Sequence, residues 1–378
     1  MKDFELRLVS PSFDDPVTDD VMELNHLRRL QLAGTTAPWM FFQLKTIFHM
    51  MESIGSARIE GNRTTISEYV EQKLAQRERS DERFSEIANV ERAMAFIEDE
   101  MREGTPITHH FVHQLHQLVV SELDGEGDRT PGAYRTWNVN IAGSAHVPPD
   151  ACHVRAMMDE LLAFVNEQGP ERYELLRTAL AHHRFVWIHP FGNGNGRAVR
   201  LLTYALLIKY GFNVKDGKLL NPTAVFCNDR DAYYAELARA DAGTDAALLG
   251  WCRYVLHGVR EEITKVNHLL DFDFLHQKVL LPTLQRAIER EYITTDEAKA
   301  LRVGVKKQQF KSADLEDALG GLSDRQRTAL IARMKEQGFI RPLKDGGRIY
   351  HVSFMNNYLM RCLVQVLESE GFIPPIDR

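Results

Sequence analysis

The residues with the most chemical capacity lie in one run, His189-Pro190-Phe191-Gly192-Asn193-Gly194-Asn195-Gly196-Arg197-Ala198-Val199-Arg200. Its glycines let backbone N–H groups come close to a ligand. The run feeds an apolar, helix-periodic segment over 197–211. Those N–H groups therefore sit at a helix N-terminus, where free donors and the positive end of the macrodipole favour anions. Arg197 and Arg200 are three apart and share one face of the first turns. Cations there oppose the macrodipole, which points to an anionic partner. Together these parts make a polyphosphate cradle. His189, at its entrance, is a base with a pKa near neutral pH. A plain interhelical turn would explain a lone Gly-Asn-Gly, but not the whole combination.

Several elements must position this loop. Residues 172–188 predict a strongly apolar helix before it, and 197–211 another after it, stopped by Gly211. Amphipathic periodicity predicts further helices over 38–52, 65–77, 85–102, 108–123, 151–167, 229–240 and 245–268. Residues 1–36, with Pro11, Pro16 and Asp clusters, read as irregular. The segment 124–149 is rich in Gly, Asp, Pro and Thr, and reads as a loop with a short hairpin closed by Pro148-Pro149. Beyond 278 the pattern is helix (279–291), helix (294–302), helix (312–319), helix (323–336), strand (338–343), Gly-rich turn (345–347), strand (348–352). Two helices followed by a two-stranded wing is the order of a winged helix-turn-helix. The fold class expected is all-α, with one small hairpin in the core and a wing near the C-terminus.

The loop resembles the signature of the Fic family, H-[PF-x]-[D/E]-G-N-G-R-x-x-R. His189, Pro190, Phe191, Gly194, Asn195, Gly196, Arg197 and Arg200 match it. Pro131-Gly132-Ala133-Tyr134-Arg135 and His146-Val147-Pro148-Pro149 resemble the family's flap region, and 229–237 its later helix with paired tyrosines. The resemblance implies a protein adenylyltransferase. His189 would take the proton of a Tyr, Ser or Thr hydroxyl, which attacks the α-phosphorus of ATP, with Mg²⁺ or Mn²⁺ present. Gly194, Asn195 and Gly196 would hold the α-phosphate, Arg197 the β-phosphate and Arg200 the γ-phosphate. Tyr233 would line the adenine pocket. Val139 and Ile141, in a flap at about 136–147, would register the target by strand addition. The domain order expected is an N-terminal helical region (1–104), a core of this family (105–250), a helical linker (251–278), a winged helix (279–355) and a tail (356–378).

Asn193 departs from the family, which has Asp or Glu there as a Mg²⁺ ligand. An amide oxygen can ligate but brings no charge. Weaker metal affinity, a different nucleotide donor, or poor transfer with a nucleotide-sensing regulatory role all stay open. Asn193-Gly194 is also a deamidation-prone pair, and conversion to aspartate would restore the motif.

Ser56-Ala57-Arg58-Ile59-Glu60-Gly61-Asn62 resembles the family's inhibitory motif, [S/T]-x-x-x-E-[G/N]. On that resemblance Glu60, with Ser56, would reach the cradle and form a bidentate pair with Arg200 where the γ-phosphate belongs. The same residue would also serve as a hydrolytic base that removes AMP. On residues alone, Ile59-Glu60-Gly61 is an adequate helix end.

Other features set bounds. The net charge of −7 argues against wholesale nucleic-acid or membrane binding. Four scattered cysteines argue against a zinc or disulfide framework, and the segment MKDFELRLVS has no signal-like apolar core, so a cytoplasmic protein is expected. No membrane span is read. His182 and His183 read as core residues. His109, His110, His113 and His116 read as an exposed polar face. Residues 323–351 hold seven basic and three acidic side chains, a footprint for DNA or a docking face for protein. Partners expected are ATP, a hydroxyl-bearing target protein, the chain itself as target, and a second copy in a homodimer.

Overall fold

The computed structural model describes residues 4–29, 35–74, 81–141, 143–212 and 222–373. In chain order the α-helices are α1 (Pro16–Arg29), α2 (Pro38–Ile59), α3 (Ile66–Leu74), α4 (Glu82–Glu100), α5 (His109–Val120), α6 (Ala151–Asn166), α7 (Glu174–Ile188) and α8 (Asn195–Lys209). There follow α9 (Pro222–Cys227), α10 (Arg230–Ala240), α11 (Asp245–Asn267) and a short α12 (Phe272–Phe274) that runs through a wider π turn into α13 (Leu281–Glu289). The C-terminal part adds α14 (Thr295–Lys307), α15 (Asp324–Glu336), β1 (Ile340–Pro342), β2 (Tyr350–Val352) and α16 (Asn357–Ser369). The fold is mostly helical with a small two-stranded antiparallel sheet.

The chain divides into two compact units. One comprises Met1–Leu32, Phe48–Thr64 and Glu78–Thr264, the other Ala33–Ile47, Thr65–Arg77 and Lys265–Arg378. In the first unit α7 and α8 are buried along nearly their whole length, because almost every face carries apolar side chains. Helices α4, α5 and α6 pack around them. Trp251 of α11 is fully buried among His182, Tyr233 and Tyr254, and its Nε1 donates to Ala179 O at 2.6 Å. That bond ties α11 to α7, whose last turn leads into the glycine-rich loop.

In the second unit Ile340 pairs with Val352 and Pro342 with Tyr350. Phe310 adds an isolated bridge to Tyr350. Helix α15 starts at a reciprocal cap between Ser323 and Gln326 and buries Leu330, Ile331 and Met334.

Four sequence readings need correction. Residues 1–36 are not wholly irregular: α1 begins at Pro16, and Val17, Val21 and Leu24 line its buried face. The 356–378 tail contains α16, capped by Asn356 and buried at Leu359, Leu363 and Leu367. The 312–319 helix shrinks to a 3₁₀ turn at Ser312–Leu315 followed by turns. The hairpin at 136–147 shows no strand among its described residues. Its arms are pinned by side chains instead: Asn138 Oδ1 accepts from Ala151 N at 2.8 Å, and His146 Nε2 meets Trp187 O at 2.8 Å. An isolated two-stranded ribbon is marginal in water without such a partner surface, and Pro148-Pro149 can donate nothing to it.

Replacing Trp251 by Ala removes a large, fully buried side chain of the first unit and the Nε1 bond that ties α11 to the Ala179 carbonyl. Chemical denaturation should show a loss of about 3–5 kcal/mol. A loss below about 1 kcal/mol would mean that α11 does not support α7 as described.

Candidate active site

His189 ends α7 in the left-handed region, with φ +50° and ψ +62°. A non-glycine residue there carries about 1–2 kcal/mol of strain. Arg135 compensates. Its guanidinium is almost wholly buried and gathers carbonyls, with Nε to His189 O at 2.8 Å, Nη1 to Trp137 O at 3.0 Å and Nη2 to Pro149 O at 2.6 Å. Its backbone N–H also reaches Pro190 O at 2.9 Å. A buried arginine that ligates carbonyls is a structural clamp, and its burial depresses its own pKa.

The imidazole of His189 is held well below its ordinary pKa, to about 4. Burial is the main cause. The nearby Val186 carbonyl opposes it, and Arg135 reinforces it. At neutral pH the ring is neutral, the form that accepts a proton.

The loop after His189 is braced by side chains. Asn195 Oδ1 accepts from Phe191 N, and Asn195 Nδ2 donates to Phe191 O, both at 3.0 Å. The Asn195 amide is thus a loop clamp, and it is the backbone at 195–197 that stays available for an anion. The first N–H groups of α8 have no intrahelical acceptor. His116, expected on an exposed face, is wholly buried. It stacks on Phe191 at 3.7 Å between centroids, accepts from Gly132 N through Nδ1 at 3.0 Å, and donates through Nε2 to Asn193 O at 3.0 Å. That pairing requires the neutral Nε2–H tautomer, and burial holds its pKa down to about 4. His109 meets Tyr134 and Asp159 at 2.8 Å and 2.7 Å.

Asn193 is spent in the same bracing. Its N–H donates to Asp128 Oδ2 at 2.9 Å, its Nδ2 to Gly127 O at 3.1 Å, and its Oδ1 accepts from Gly194 N at 2.8 Å. Among the described residues no group of three or more His, Cys, Asp or Glu side chains is arranged to hold a metal. The donor set does not fit a resident divalent ion, because the position that should supply charge offers an amide oxygen already in use.

Helix α2 delivers Glu60 to the cradle. The helix ends in a Schellman motif: Asn62 N donates to Ala57 O at 3.1 Å and Gly61 N to Arg58 O at 3.0 Å. Gly61 takes φ +106°, a conformation costly for any residue with a Cβ. The helix-end reading and the reach to the cradle are therefore both realised. Arg200 Nη2 meets Glu60 Oε1 at 2.7 Å and Ser56 O at 2.9 Å, while Nε meets Ser56 Oγ at 2.9 Å. The pair is single-pronged, in place of the expected bidentate geometry: Ser56 takes Nε and shares Nη2 with Glu60. Glu60 lies so close to Gly196 that a methyl group there would overlap Oε1. Burial alone would raise the Glu60 pKa, but Arg200, then Arg197 and Arg230, outweigh it and hold the carboxyl below its ordinary range.

Arg197 is also occupied. Its Nη1 lies 3.2 Å from Glu86 Oε1, and its Nη2 meets Glu126 O at 2.8 Å and Glu126 Oε2 at 3.3 Å. Glu86 is nearly buried, and that burial raises its pKa despite Arg197. Asn62, two residues beyond Glu60, donates to Glu86 Oε2 at 2.7 Å. The end of α2 therefore touches both arginines, directly at Arg200 and through Glu86 at Arg197. Charge balance around a buried guanidinium could have suggested a carboxylate partner, but nothing in the spacing singles out Glu86 or Glu126.

Tyr233 sits inside the helical core of the first unit. It is buried, its hydroxyl meets His182 Nε2 at 2.9 Å, and its ring packs on Phe226 and Trp251. His182 also meets Thr203 Oγ1 at 2.8 Å, and His183 meets Asp241 at 3.0 Å. Tyr234 is the exposed member of the tyrosine pair, with Arg230 over its ring at 5.4 Å. Val139 and Ile141 are half-buried and stand apart from the cradle's hydrogen bonds.

Residues 106–207 match the model of the Fic/DOC family. The protein adenylyltransferase Fic of Drosophila grimshawi is 31% identical over 200 residues, 52% of this chain and 38% of that protein. The Drosophila melanogaster protein of the same name is 30% identical over the same share of this chain and 37% of its own. The match thus spans well under half the length of these curated relatives. A Fic family protein from Desulfovibrio desulfuricans superposes with a TM-score of 0.56 at 20% identity, over 91% of this chain and 98% of that one. Fic-1 from C. elegans gives 0.52 at 19% identity, over 66% and 71%. No described helix is long and apolar enough to cross a membrane. The first compact unit thus carries a Fic/DOC family domain, distantly homologous to protein adenylyltransferase Fic.

Proposed function

We propose that the chain is a protein adenylyltransferase restrained by Glu60. The observation that carries this reading is the Glu60 carboxylate lodged on Arg200 and against Gly196, at the start of α8, where free N–H groups favour an anion. A carboxylate held there stands in for a phosphate oxygen.

In the reaction, ATP enters as its complex with Mg²⁺ or Mn²⁺ and displaces Glu60. Arg200 takes the γ-phosphate, and the N–H groups at the start of α8 take the α-phosphate, where charge builds as phosphorus is attacked. A Tyr, Ser or Thr hydroxyl of the target gives its proton to His189. Its oxygen bonds to the α-phosphorus, the bond to the bridging oxygen breaks, and pyrophosphate leaves. Arg197 reaches the β-phosphate only if Glu86 and Glu126 release it, so the ligand must win two contests. The Glu60 side chain is 26% exposed, open enough for a phosphate to compete. Once displaced, Glu60 also serves, in this proposal, as a base toward a water that removes AMP.

A second reading is a nucleotide-sensing regulator with weak transfer, or one with another donor. It is favoured by the uncharged Asn193 and by the carboxylates that neutralise Arg197. The element order of the second unit supports a winged helix-turn-helix. A cytoplasmic site of action and a homodimer complete the proposal.

Transfer of α-labelled ATP tests it. Glu60→Gly should incorporate label at least tenfold faster than wild type, and Glu60→Gly/His189→Ala should incorporate none, with either metal. No incorporation by Glu60→Gly, with ATP still bound, favours the second reading.

The pKa of His189 sets the acid limb. The active form is the neutral ring, so kcat/KM of Glu60→Gly should stay level from pH 7.5 down to about 5 and fall toward pH 4. An acid limb centred near pH 6.5 would mean that the ring is solvated and not buried as described.

A further inference from the structure

The second unit presents a basic surface that the proposed transferase does not use. Helix α15 buries Leu330, Ile331 and Met334 on one side. The opposite side carries Arg325, Thr328, Ala329, Ala332 and Glu336, all exposed. Between Arg325 and Glu336 that face is built of small side chains. The hairpin joining β1 and β2 has Lys344 and Arg348 on either side of Asp345-Gly346-Gly347, and Leu343 N donates to Ile349 O at 2.9 Å to close its base.

The charges divide into paired and unpaired. Arg327 pairs with Asp324 and Glu316, and Arg333 with Glu297 at 3.1 Å. Among the described residues Arg325, Lys335, Arg341, Lys344 and Arg348 have no ion-pair partner. They lie in a chain whose net charge is −7, so the local excess is not a by-product of a basic composition.

We propose that α15 and the 343–349 hairpin bind duplex DNA, with α15 in the major groove and the hairpin on the adjoining backbone. A groove about 12 Å wide admits a helix, and a face of Thr and Ala lets the helix axis come close. Arg325, in the first turn, is the residue of α15 placed to reach base edges, and Lys335, Lys344 and Arg348 are suited to phosphates. A protein-docking face would carry aromatic or large apolar anchors at its centre. The exposed face of α15 has none, and Ile349 is the one exposed large apolar side chain of the 323–351 segment. Glu336 limits how far the C-terminal end of α15 can approach phosphates.

The test uses the full chain and a fluorescein-labelled, mixed-sequence 30-base-pair duplex, read by anisotropy between 50 and 200 mM KCl. Saturable, salt-sensitive binding is expected. Arg325→Glu/Lys344→Glu/Arg348→Glu should weaken it at least tenfold and, through the two lost phosphate contacts, flatten the slope of log K against log salt by about 2. Lys278→Glu, an exposed charge elsewhere in the same unit, should change it less than twofold. Unchanged thermal midpoints and label transfer show that the variants fold. No saturation at 50 mM KCl, an equal loss in Lys278→Glu, or equal affinity for the single strand would overturn the proposal.

Discussion

A guanidinium buried at the start of a helix is the constraint on which the site depends. Arg200 is 2% exposed and lies where the α8 dipole is positive, so both its desolvation and its position are unfavourable. Its charge needs acceptors, and the end of α2 supplies all of those seen: Ser56 Oγ, Ser56 O and Glu60 Oε1. Breaking a buried pair by removing one partner typically costs about 3–5 kcal/mol. The figure is smaller here, because Glu60 is partly solvated and Ser56 remains. The same arithmetic gives an incoming phosphate its hold. Any ligand that replaces Glu60 must bring comparable charge to the same donors, and a triphosphate does.

The rest of the loop follows from keeping those donors in place. Backbone N–H groups serve an oxyanion only if other groups hold the chain around them. Arg135 clamps the strained His189 backbone, Asn195 clamps Phe191, and neutral His116 bridges Gly132 to Asn193. Asp128 takes the Asn193 N–H. Side chains that look like ligands in the sequence are thus largely scaffolding, and on the proposed function the backbone they release is what would meet the anion. Such preorganisation lets hydrogen-bond donors stabilise developing charge without reorganising during the reaction. Arg197 is balanced by Glu86 and Glu126, which on the proposed function makes it a second place where ligand and carboxylate would compete.

Much of this was legible in the sequence. The apolar helices on either side of the loop follow from their uninterrupted hydrophobic faces, and the contact between Glu60 and Arg200 from a short motif ahead of a longer one. The two-stranded pairing at 340–352 follows from its alternation and Gly-rich turn. What was not legible depends on contacts distant in sequence. Helix α1 hides behind Pro16, which reads as a breaker and acts as a first-turn residue. His116 looks like part of a polar helix face until Phe191, 75 positions later, is stacked on it. Arg135 sits in a loop whose extended arms suggest strands. Only the fold shows that those arms answer to carbonyls and to a helix N-terminus and form no strand among the described residues.

Calorimetric titration of ATP and AMP into wild type and Glu60→Gly is the most direct measurement. If Glu60 holds the γ-phosphate site, the substitution tightens ATP at least tenfold and leaves AMP, which has no γ-phosphate, within about twofold. Equal tightening of both nucleotides, or of neither, would show that Glu60 does not compete with phosphate at Arg200.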